Sequence, residues 1–144
     1  MMLIEQTSVP TAAVPIIEFK DHLRLGTGFA DDGTQDAILE AYLRAAMSAI
    51  EGRTGKILIT RQFVWTLTAW RCEGFQSLPV APVPVLSAIK LIDALGAETT
   101  LDTSRYRLIQ DNQRPRIEAT GGYLPPVPHG GSAEIQFDAG FGGS

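Results

Sequence analysis

Residues 34–69, TQDAILEAYLRAAMSAIEGRTGKILITRQFVWTLTA, change period partway along, and that change sets the fold class. Up to Thr54 the apolar residues recur at helical spacing. Ile38, Ala41, Tyr42, Ala45 and Ala49 form one stripe, and Leu39, Leu43, Ala46 and Ile50 form the next. Asp31, Asp32 and Thr34 offer N-cap oxygens, and Asp36 places negative charge where the helix dipole favours it. Ala37, Ala41, Ala45, Ala46 and Ala49 keep the helix slim enough for another backbone to approach. Gly55 predicts a left-handed C-cap, with Arg53 and Lys56 complementing the dipole. Beyond it, Phe63, Trp65 and Leu67 alternate with Val64, Thr66 and Thr68, the period of a strand.

Towards the N-terminus, residues 1–14 read as an extended arm, with Met2, Leu3 and Ile4 apolar and Pro10 as a breaker. Pro15 suits a first helical turn, and Ile16, Phe19 and Leu23 share a face that stops at Gly26 and Gly28. Towards the C-terminus, Val85 to Ile92 reads as a strand that turns at residues 93–96 and returns through 97–101. Residues 106–109 and 116–118 pair around the polar turn Gln110 to Arg114, and Ala133 to Phe137 is the last strand. Pro79, Pro82, Pro84, Pro125, Pro126 and Pro128 mark connectors and strand edges. The expectation is an α+β fold. N-terminal helices over about 15–26 and 34–54 precede a small antiparallel β-sheet or barrel. One compact domain holds an arm (1–14), a helical part (15–56) and a β-rich part (57–144).

Composition narrows the function. The chain has 144 residues, 44% hydrophobic and 19% charged, which fits one globular domain and not a disordered or coiled-coil chain. One cysteine, Cys72, rules out an internal disulfide, and with only two histidines, His22 and His129, a metal centre is not expected. The apolar runs fall far short of the ~18 residues of a membrane span, and no basic n-region precedes an apolar stretch at the start. A soluble, unexported chain is expected. Net charge is −4, but residues 105–117 hold Arg105, Arg107, Arg114 and Arg116 against Asp111 alone. Polarity alternates along the chain, unlike the extended basic stripe of a duplex reader.

No motif supports catalysis. Gly52-Arg53-Thr54-Gly55-Lys56 lacks the hydroxyl residue and following helix of a phosphate-binding loop, because Ile57 and a strand come next. Helix capping explains it. Asp31-Asp32-Gly33 with Asp36 and Glu40 lacks calcium-loop spacing. His129-Gly130-Gly131 has no nucleophile elbow to serve. His22 and Cys72 read as incidental. No enzyme activity and no cofactor are expected. The binding candidates are Ala45 and Ala49 on the small-residue helix face, Trp70, the four arginines, and the aromatic residues Tyr123 and Phe141. Arginine's planar fork suits an ion-pair seam to an acidic neighbour, while a solvated strand face is the bland reading.

The order of segments resembles the head–tail connector (adaptor) proteins of long-tailed double-stranded DNA phages and phage-like gene transfer agents. The matching pieces begin with Ile17-Glu18-Phe19-Lys20-Asp21-His22-Leu23-Arg24-Leu25, Ala49-Ile50-Glu51-Gly52-Arg53-Thr54-Gly55-Lys56 and Ile59-Thr60-Arg61-Gln62. They continue with Leu78-Pro79, Pro82-Val83, Leu101-Asp102, Tyr106, Pro115-Arg116-Ile117 and Phe137-Asp138-Ala139-Gly140-Phe141-Gly142. The resemblance implies a ring of subunits, by family a dodecamer, between the portal protein and the stopper or tail-completion protein. DNA would pass through its channel without sequence-specific binding, and no membrane is involved. Assembly would occur in the bacterial cytoplasm, and the chain would end up at the head–tail junction of the particle. Family members continue past the glycine-rich close into helices that hold the portal, whereas this sequence closes at Gly142-Gly143-Ser144. The alternative is a monomeric β-rich carbohydrate- or peptide-binding module built on Trp70 and the proline loops.

Overall fold

A computed structural model describes residues 1–23, 33 and 35–142. The chain opens with a strand, β1 (Met2–Glu5), followed by a single 3₁₀ turn and two helices, α1 (Ile16–His22) and α2 (Asp36–Thr54). Seven strands follow: β2 (Arg61–Leu67), β3 (Phe75–Ser77), β4 (Val85–Ile92), β5 (Glu98–Thr100), β6 (Tyr106–Ile109), β7 (Arg116–Ala119) and β8 (Ser132–Ala139). They form a five-stranded antiparallel sheet of order β1-β2-β8-β4-β5 and a three-stranded antiparallel sheet of order β3-β7-β6.

This corrects the expected α+β order of N-terminal helices followed by one small sheet or barrel. The fold is mostly β, there are two sheets, and the helices are inserted after a strand. The reason lies in β1. Its register on β2 runs from Met2 opposite Thr66 to Glu5 opposite Phe63. The Gln6 N–H donates to the Gln62 carbonyl at 2.8 Å, and the Gln62 N–H donates to Thr7 Oγ1 at 2.9 Å. A four-residue segment gains its strand conformation from that partner, 60 residues away in sequence, and carries no period of its own.

β8 is the central strand, and its sequence alternates strictly. Ala133, Ile135, Phe137 and Ala139 are buried, while Glu134, Gln136 and Asp138 face outwards. On β2, Phe63, Trp65 and Leu67 lie on the same inner face, and Phe63 stacks on Phe137 at 5.9 Å. The inner face of the three-stranded sheet supplies Tyr106 and Ile117, which join that cluster together with Leu78, Val83, Leu101 and Leu124 from the connections. The two sheets therefore share one core, with an outer face on each side. Gln76 on β3 is buried but satisfied: its Oε1 accepts from the Arg71 N–H and its Nε2 donates to the Ser77 carbonyl. At the end of β8, Gly140 has φ 143°, and a Cβ there would lie 2.4 Å from Thr60 Cα. Only glycine lets those two backbones meet.

α2 ends as its sequence directs, with Gly55 at φ 65° and its N–H on the Glu51 carbonyl at 2.9 Å. The N-cap oxygens expected from Asp31, Asp32 and Thr34, and the stop at Gly26 and Gly28, lie outside the described residues; Gln35 occupies the N-cap without a side-chain cap bond.

Candidate assembly surfaces

α2 turns one face inward. Leu39 is buried, Leu43 and Met47 are half-buried, and Arg44 donates to Glu40 Oε1 at 2.7 Å and to the Val9 carbonyl at 2.9 Å. The C-terminal end is fixed by an ion-pair cluster on the rim of the core. Arg61 on β2 donates to both oxygens of Glu51, at 3.0 and 2.7 Å, and its Nε lies 2.9 Å from Glu5 Oε2 on β1, off the hydrogen-bond line. One guanidinium thus ties helix, sheet edge and second strand together.

The opposite face of α2 is apolar and is left uncovered by the described residues. Ala45 and Ala49 are both exposed, beside Ala41 and two large side chains, Ile38 (57% exposed) and Tyr42 (65%); Ala46 and Ile50 (48%), on the adjoining stripe, are exposed as well. Sequence reasoning picked the two alanines but missed the large residues as surface groups. Both stripes of the helix are apolar, so periodicity alone does not say which one the core covers. An exposed stripe of this composition is what a helix presents to another macromolecule.

The outer face of the three-stranded sheet is basic. Arg107 on β6 and Arg116 on β7 both reach Glu118, at 2.8 and 2.6 Å. Hydrogen bonds from Arg107 and then Arg116 hold the Glu118 carboxyl below the usual glutamate range. The Arg116 guanidinium also lies over the exposed ring of Phe75, 5.6 Å from its centroid, a residue the sequence did not single out. Arg105 and Arg114 flank this face, are exposed, and make no side-chain hydrogen bond or ion pair among the described residues. Asp111, between them in sequence, is occupied by the N–H groups of Gln113 and Arg114.

The aromatic candidates do not converge on one site. Trp70 falls beyond the end of β2, half-buried against the core, and its indole N–H donates to the Pro125 carbonyl at 2.7 Å. That bond uses the polar edge a sugar-stacking tryptophan would offer. Tyr123 and Phe141 are exposed, 69% and 60%, on separate segments. His22, Cys72 and His129 are exposed as well. Among the described residues no three His, Cys, Asp or Glu side chains cluster as metal ligands, and no helix is long and apolar enough to cross a membrane.

No family model and no curated protein matches the chain. Solved structures do, among them the following three. The first is a protein in the neck of an empty gene transfer agent (GTA) particle computed with C6 symmetry; identity is 58% and TM-score 0.94, over 100% of this chain and 73% of that one. The second, from the virion of a native GTA particle, matches at 58% identity and TM-score 0.91, over 100% and 74%. The third, from the neck of a native GTA particle computed with C12 symmetry, matches at 51% identity and TM-score 0.88, over 100% and 72%.

Proposed function

Since the chain belongs to the head–tail connector family of gene transfer agents, we propose that it is a structural adaptor subunit. It forms a ring, a dodecamer, between the portal and the stopper or tail-completion protein, and DNA passes through the channel without being read. Assembly takes place in the bacterial cytoplasm, and the work is done by surfaces, without catalysis. The observation that carries this reading is the outer face of α2. A helix whose exposed stripe runs Ile38, Ala41, Tyr42, Ala45, Ala49 leaves in water the apolar area that side-by-side packing in a ring would bury. The small alanines allow close approach, and Ile38 and Tyr42, in the first half of the stripe, supply the buried area. The cyclic symmetry used for the similar necks fits such a contact.

The test is the mass of the purified chain, alone and mixed with a portal protein. Ring-sized complexes that carry the portal are expected. A chain that stays monomeric in the mixture, with the portal mass unchanged, overturns the adaptor reading.

A further inference from the structure

The two outer faces of the sandwich differ in charge and lie on opposite sides of the shared core. On the five-stranded sheet, Glu134 and Asp138 of β8 and Glu98 of β5 share the outer face with one ammonium, Lys90, which is already paired to Glu98 at 2.9 Å. On the three-stranded sheet, Arg107 and Arg116 share one carboxylate, and Arg105 and Arg114 stand free beside them. The acidic face also holds an open groove of about 200 Å³, lined by Gln6, Gln62, Val64, Ser87, Gln136 and Asp138. Asp138 sits between Gln62 on β2 and Val85 on β4 and lines the groove. A cationic donor seated in that groove would lie against the Asp138 carboxylate, where a charge-assisted hydrogen bond is stronger than a neutral one.

We propose that in the ring the acidic outer face of one subunit receives the arginine face of the next, with a guanidinium entering the groove at Asp138. This deepens the adaptor reading and rests on it. A cyclic assembly joins each subunit to its neighbours through two different patches, and here the two patches occur on opposite faces of one domain with opposite charge. A second copy fits better than a phosphate backbone, since the groove presents a carboxylate and excludes anions. Arg105 and Arg114 are the donors, because Arg107 and Arg116 already share Glu118. Such a contact would set the register between neighbours, which is what complementary charge does at an interface.

The experiment uses particles assembled with a chain carrying Cys72→Ser, Asp138→Cys and Arg114→Cys, treated with a short bismaleimide. A ladder of covalent dimers and higher multimers is expected, whereas either single cysteine should give monomers only. A neck that contains the chain but yields only monomers from the pair overturns the face-to-face contact. A neck that lacks the wild-type chain altogether overturns the adaptor reading instead. Charge reversal supplies a second arm. Asp138→Arg alone, or Arg105→Glu with Arg114→Glu, should lower incorporation about tenfold, and their combination should restore most of it. Full incorporation of both reversed variants overturns the proposal even where the cysteine chain fails to fold.

Discussion

Glu51 and Arg61 stand on either side of the helix-to-strand break, ten positions apart, and no spacing rule connects them. Their pairing was not legible in the sequence. It appears only once Gly55 turns the chain and brings the end of α2 against the start of β2. Both side chains are about nine-tenths buried, and Glu51 also accepts the Leu58 N–H at 2.9 Å. Burial pushes the Glu51 carboxyl up, but the Arg61 hydrogen bonds, the Leu58 N–H and the Arg61 charge outweigh it, so the group titrates below the ordinary glutamate range. A depressed folded value means the unfolded chain takes up the proton first. The stability from this pair is complete above the unfolded value, about pH 4.3, and is lost as pH falls through the lower folded value. Glu51→Gln should cost about 2–4 kcal/mol at pH 7, since it leaves a buried guanidinium undercompensated. It should also flatten the acid limb of a urea-midpoint-against-pH curve; an unchanged limb would remove Glu51 as its source. Gly140 admits a sharper test. Gly140→Ala would drive a Cβ into the Thr60 backbone at a φ that side chains avoid, so a loss of about 2–4 kcal/mol is expected in urea unfolding.

α2 was legible in extent and illegible in orientation. Its period and its glycine stop follow from residues along the helix and at its C-terminal end, so local chemistry suffices to place them. β2, β4 and β8 were legible for a similar reason, because seven or eight residues are enough to display alternation. β5, β6 and β7 are short but adjoin the turns at 93–96 and 110–114, whereas β1 and β3 pair with strands far off in sequence, and missing β1 is what put the helices at the head of the fold. For the assembly surfaces, charge grouping revealed the arginines, while Phe75 and Asp138 gave no signal, since each acquires its role from a neighbouring strand. The orientation of α2 yields a separable prediction. Ala45 is exposed in the subunit, so Ala45→Glu should leave the unfolding free energy within about 0.5 kcal/mol of wild type. In the ring the same carboxylate would be desolvated without a partner, and assembly with the portal should fail. A variant of normal stability that still forms rings would assign the stripe to solvent.

Because Tyr106 and Ile117 of the three-stranded sheet and Trp65, Ile135 and Phe137 of the five-stranded sheet lie in one cluster, neither sheet has a core of its own. The larger sheet would expose a full apolar face without the smaller one, and three strands of three or four residues cannot stand alone in water. The molecule should therefore unfold as a unit, with the two sheets melting together. Ile117 is the residue on which to test this, since it is fully buried at the centre of the smaller sheet and faces the larger. Ile117→Ala removes several methyl and methylene groups from a packed site and should cost about 2–5 kcal/mol. The informative quantity is where that loss is felt. In a Trp70→Phe background, fluorescence reports Trp65 on the five-stranded sheet, while far-ultraviolet circular dichroism reports the whole backbone. With a shared core, both transitions shift to lower urea together and remain superimposable. A Trp65 transition that keeps its wild-type midpoint while the dichroism shifts would mean that the smaller sheet comes away first, and that the arginine face it carries is a separately folding unit.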